Sequence, residues 1–182
     1  MNGRPDLLAD GGFKVDLTPD GGRFTGYASL FGVTDLTGDV VMPGAFRNTL
    51  EKRGAAEVKL LYQHDPSEPV GRWLEIREDA RGLRVSGEIH AGIARGREVL
   101  SLIRSRILDG LSIGFRTVRA RTDGKSGVRK VAEIDLWEIS IVTFPMLPGA
   151  RITGLGPDTG DDPEALARDL RKAARRIRTA SR

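Results

Sequence analysis

Three residues stand where chemistry can be done. His64 closes the apolar run Leu60-Leu61-Tyr62 and precedes the turn signal Asp65-Pro66. A strand end before a turn presents a side chain from a rigid support. A neutral imidazole there can take a proton from a hydroxyl near pH 7. The bland alternative is a turn histidine bonded to its own backbone. Ser112 lies in Gly110-Leu111-Ser112-Ile113-Gly114, a Gly-x-Ser-x-Gly run. That pattern marks a nucleophile elbow, but an α/β-hydrolase needs its histidine after the serine. Both histidines, His64 and His90, come before Ser112. The α/β-hydrolase class is therefore excluded, and the bland alternative for Ser112 is a polar residue on a strand. Glu138 sits inside Leu136-Trp137-Glu138-Ile139-Ser140-Ile141-Val142. Strict alternation places Leu136, Glu138, Ser140 and Val142 on one face. A buried carboxylate needs a partner, and an imidazolium is a good one. In a triad the acid fixes the histidine tautomer and stabilises the charged ring. An edge-strand glutamate facing water is the alternative. His90 ends a strand before Ala91-Gly92 and reads as solvated surface.

Composition narrows the chemistry further. The 182 residues contain no cysteine and two histidines. Thiolate nucleophiles, disulfides and cysteine zinc sites are excluded, and a histidine-rich metal site with them. Triad hydrolysis calls for no metal or cofactor. No apolar run nears the roughly 18 residues of a membrane span, and Met1–Gly12 lacks a signal-peptide pattern. The net charge is +4. Residues 161–182 carry seven basic and four acidic groups, against 22 and 21 in the remainder. The body is nearly neutral. With aromatics at 5% as well, nucleic-acid binding is disfavoured.

The elements that must position these residues are mostly short β runs. Phe13–Leu17 and Arg23–Leu30 flank Thr18-Pro19-Asp20-Gly21-Gly22 and read as a hairpin. Pro43-Gly44 opens a short helix through about Arg53. Val58–Tyr62 is an apolar strand. Val70–Arg77 and Leu83–Ile89 form a second hairpin. Ala94–Ile107 has apolar residues at helical spacing. Leu111–Arg121 and Val128–Thr143 are strands around the turn Asp123–Gly127. Gly149–Gly160 holds four glycines and reads as a linker. Its last part, 154–160, separates a domain of residues 13–153 from an amphipathic basic helix at 161–182, and residues 1–12 form a disordered lead-in. The expected class is α+β: a mostly antiparallel, β-barrel-like body with a few helices.

An ordered series of segments resembles the prohead (capsid maturation) proteases of tailed phages, relatives of herpesvirus assemblin. It runs from Gly26-Tyr27-Ala28-Ser29-Leu30-Phe31-Gly32 through Asp35, Gly38-Asp39-Val40-Val41 and Pro43-Gly44-Ala45-Phe46. Leu61-Tyr62-Gln63-His64-Asp65 and Pro69-Val70-Gly71 follow. Gly110–Phe115 and Glu138-Ile139-Ser140-Ile141-Val142-Thr143-Phe144-Pro145 complete it. The resemblance implies a serine endopeptidase with Ser112 as nucleophile and His64 as general base. Assemblin uses a second histidine after its serine, and this chain has none there. The third role falls to an acid, Glu138, with Asp135 as the fallback. Assemblin-like enzymes place an arginine near the oxyanion, which points to Arg151 and more weakly to Arg116. The implied partners are the major capsid protein with its scaffolding segment and the enzyme itself, by autoprocessing or as a dimer. The implied place is the immature capsid in a bacterial host, for a phage, a prophage or a gene transfer agent. A non-catalytic scaffold or decoration protein with the same β body is the rival reading.

Overall fold

A computed structural model describes residues 14–15 and 22–156. The strands are β1 (Lys14–Val15), β2 (Arg23–Leu30), β3 (Asp39–Val41), β4 (Lys59–Tyr62), β5 (Asp65–Glu78), β6 (Gly82–Ile89), β7 (Gly110–Thr122), β8 (Arg129–Val142) and β9 (Ile152–Leu155). Two helices, α1 (Arg47–Glu57) and α2 (Ala94–Arg104), complete the described elements. The strands form one sheet in the order β1-β9-β2-β6-β5-β4-β8-β3, with β7 attached to β8. Most pairs are antiparallel; β1–β9, β3–β8 and β4–β8 are parallel. The α+β class with few helices holds.

The barrel does not. The ladder is an open path, and β7 hangs from β8 without a second ladder. One bridge, Gly110 to Arg151, ties the start of β7 to the start of β9. Beyond it β7 and β2 face each other across a cleft lined by Ala28, Leu30, Leu111 and Leu147. Side chains rather than backbone hydrogen bonds fill the gap, so the sheet stays unclosed.

The expected first hairpin is also corrected. β1 pairs with β9, and β9 lies between β1 and β2. The supposed linker thus contains a strand. Its Ile152 and Leu155 are buried in the core, and this burial outweighs the glycines that argued for a loop. Gly26 makes the pairing possible, because a Cβ there would meet the Arg151 carbonyl. The β5–β6 hairpin, α2 and the β7–β8 pair form as the periodicity predicts. α1 begins later than Pro43-Gly44 suggests. Gly44 has φ +86°, outside the helical region, so Arg47 is its first helical residue. The proposed lead-in at 1–12 and tail helix at 161–182 lie outside the described residues.

The core is built on β8, whose Ile134, Leu136, Ile139 and Ile141 are essentially inaccessible. One edge of β8 is satisfied in relay. Met42 N–H donates to Val131, Ile134 N–H to Ala45 O, and Leu136 N–H to Thr49 Oγ1. β4 then pairs with residues 138–141. Each backbone group of this buried strand needs a partner, and two strands and α1 share the task. Among the described residues no helix is long and apolar enough to cross a membrane.

Candidate active site

β4 runs parallel to β8, with Leu61 opposite Ser140 and Tyr62 opposite Ile141. The chain then turns sharply. Gln63 and His64 take φ of 54° and 61°, a left-handed conformation rare for residues with a Cβ. Two hydrogen bonds hold this turn to β8. Gln63 N–H donates to Ile141 O at 3.0 Å, and His64 N–H donates to Ser140 Oγ at 3.1 Å. Gln63 Nε2 also donates to Thr143 Oγ1 at 2.6 Å. The turn aims the His64 ring back across β8, where Nδ1 lies 2.6 Å from Glu138 Oε1.

Glu138 reaches that position through a β-bulge. β7 steps once, from Gly114 to Phe115, while β8 steps from Glu138 to Leu136. Trp137 is the extra residue, and it is half exposed. The bulge resets the alternation, as bulges beside functional sites commonly do. Leu136 joins Ile139 and Ile141 in the core, while Glu138 and Ser140 share the face that meets His64. The expected common face of Leu136 and Glu138 is therefore corrected. Gly114, directly across from Glu138, leaves the room: a Cβ there would fall on Glu138 Oε1.

Ser140 completes the cluster. Its hydroxyl donates to Glu138 Oε2 at 2.6 Å and is fully buried. Glu138 is 9% exposed, and the imidazole is its only cationic partner among the described residues. The Glu138 hydrogen bond raises the His64 pKa above its ordinary value. Partial burial opposes this, and the Glu138 charge adds to the rise.

Ser112 lies on β7 directly opposite Ser140 and is 5% exposed. It is thus one strand from the His64–Glu138 pair and on the same face as Ser140. No hydrogen bond joins Ser112 to His64 among the described residues, so the structure brings His64 and Glu138 together and sets Ser112 one strand away. Ser112 also lines the cleft between β2 and β7, a cavity of about 50 Å³ walled by Ala28, Leu30, Leu111, Met146 and Leu147.

The other candidates lie elsewhere. Asp135 is bound by Arg53 at 2.9 Å, by the Trp137 indole N–H at 3.0 Å and by Arg116 at 3.4 Å. Its carboxyl is held below the usual range, first by that indole and then by the two arginines. The carboxylate that meets His64 is Glu138. Arg116 is spent on Asp135. Arg151 donates to Asp109 Oδ1 and to Pro148 O beside the start of β7. His90 is exposed, and its Nδ1 accepts from Gly92 N–H within its own turn. Sequence reasoning missed the roles of Ser140 and Gly114. The Glu138-x-Ser140 spacing was the available signal, because residues two apart share a strand face.

The profile of the caudovirus prohead serine protease family matches residues 13–158. The chain belongs to this family. It is 34% identical over 164 residues to the prohead protease of Enterobacteria phage HK97, covering 86% of this chain and 72% of that one. It is 27% identical over 125 residues to the prohead protease of Escherichia phage T5, covering 68% and 58% respectively. The fold extends further. The KSHV protease, solved with a hexapeptide phosphonate inhibitor, superposes with a TM-score of 0.53 at 14% identity, covering 84% of this chain and 75% of that one. The bacteriophage T4 capsid assembly protease gives 0.54 at 12% identity, covering 66% and 80%. The protein is a serine protease of the prohead type.

Proposed function

We propose that this protease cuts the scaffolding segment from the major capsid protein, and then cuts itself, during prohead maturation inside the immature shell. Ser112 is the nucleophile, His64 the general base and Glu138 the acid that orients it. The observation that carries this reading is the 2.6 Å contact of His64 Nδ1 with Glu138, beside the strand that bears Ser112. A carboxylate accepts only, so it fixes the proton on Nδ1 and leaves a lone pair on Nε2. Nε2 then takes the Ser112 proton as Oγ attacks the scissile carbonyl. The acyl-enzyme forms, and His64 returns the proton to the leaving amine. Water repeats the sequence and frees the acid product. The cleft beside Ser112 receives the side chain next to the scissile bond. Arg151, whose guanidinium pairs with Asp109, serves the oxyanion after leaving it.

The test is mass spectrometry of the major capsid protein co-expressed with the wild-type chain or with Ser112→Ala. Wild type should remove a defined N-terminal segment, and Ser112→Ala should leave it in place while keeping a cooperative unfolding transition. Equal removal by both would end the assignment of Ser112. An intact capsid protein in both, repeated with assembled proheads, would end the proposed target.

A further inference from the structure

We infer that Ser140 is a positioning residue of this protease, holding the acid and the main chain of the base in one geometry. The inference rests on the proposed triad and extends it by a fourth side chain. A hydroxyl has one proton and two lone pairs. Ser140 gives the proton to Glu138 Oε2 and accepts the His64 N–H on the other side of the oxygen. The two bonds reach both partners of the His64–Glu138 pair, and Ser140 itself is fully buried.

Each bond has its own consequence. Glu138 Oε2 is committed to Ser140, so Oε1 is the oxygen left for the His64 Nδ1 proton. The carboxylate cannot turn without losing a donor in a site that is 9% exposed, and an unsatisfied buried acceptor is costly. The second bond holds the turn that aims the ring. Gln63 and His64 are both left-handed, a conformation that persists only where the surroundings over-determine it. The main-chain N–H of Gln63 is tied to Ile141 O, and that of His64 to Ser140 Oγ. Ser140 thus sets the acid's rotamer and the base's backbone together. An ordinary core serine would satisfy itself without touching either.

Two histidines make the test clean. The ring nitrogens of His64 and His90 can be titrated by NMR in the Ser112→Ala background, where self-cleavage is absent. Ser140→Ala should lower the apparent pKa of His64 by about half a unit or more, as its contact with Glu138 is populated less. His90, hydrogen-bonded within its own turn, is the internal control. Ser140→Cys, of similar size but a weak donor, should give the same downward shift if the alanine variant fails to fold. In otherwise wild-type enzyme, Ser140→Ala should lower kcat by about tenfold with KM little changed. An unchanged His64 titration in either folded variant overturns the inference, as does an equal shift of both histidines. The titration is independent of cleavage. A His64 shift together with Ser112-independent processing would therefore overturn the triad and leave the geometric role of Ser140 standing.

Discussion

His64 faces opposite demands from folding and from catalysis. Its pKa is raised in the folded protein, chiefly by the Glu138 hydrogen bond. Its contribution to stability is therefore complete below the unfolded pKa of about 6.5 and is lost as pH rises through the folded value. As the proposed general base His64 must be neutral, so activity should rise over that same interval. The acid limb of kcat/KM should lie above 6.5, and Glu138→Gln should move it down while reducing the maximum rate. A limb at or below 6.5 in wild type would contradict the pairing as the governing interaction. Gly114 offers a second check. Gly114→Ala places a methyl on Glu138 Oε1, and the carboxylate must leave His64. Peptide cleavage should fall at least about tenfold, while the melting temperature moves by only a few degrees. A fully active Gly114→Ala enzyme would show that the observed carboxylate position is dispensable.

At the scale of elements, the bulge at Trp137 explains what could be read in advance and what could not. The residues His64, Ser112 and Glu138 were visible because each is a polar group at the end of, or inside, an apolar β run. Their mutual placement was not. Periodicity of two assigns faces only in a regular ladder, and one extra residue reverses the assignment beyond it. Ser140 shared a predicted face with Glu138, and the bulge left that pair intact because it precedes both. Leu136, on the other side of the bulge, was separated from them. Pairing was equally hidden. Arg23–Leu30 follows the first strand after a good turn, yet its neighbour is β9, which arrives more than a hundred residues later. Local turn chemistry carries no information about a partner so distant. The β5–β6 hairpin was legible because its partners are adjacent in sequence and its turn is short. Gly26 tests the distant pairing directly. Backbone of β9 lies where a Cβ of Gly26→Ala would go, and backbone cannot rotate aside. Chemical denaturation should show a loss of about 1–3 kcal/mol. No loss would mean that the β2–β9 contact is looser than the structure shows.

The whole molecule hangs on β8. It pairs with β3, β4 and β7, carries the carboxylate that meets His64, and places Ile139 in the core between Glu138 and Ser140. Ile139→Ala should therefore cost about 2–5 kcal/mol in urea unfolding. Activity per folded molecule should fall with it, since the strand that carries Glu138, the proposed acid, loses its anchor. Destabilisation without any loss of specific activity would show that the site is rigid independently of the core. The placement of β9 has a further consequence, in the order of events during synthesis. A growing chain that has passed Val142 already contains His64, Ser112 and Glu138. It still lacks the strand that separates β1 from β2 and bridges Gly110. Until Ile152–Leu155 emerges, β2 has one partner and the strand bearing Ser112 has a loose base. Topology thus sets an order: the strand bearing Ser112 is laddered to β8 first, and its last tie, the bridge from Gly110 to Arg151, forms only after most of the described residues have been made.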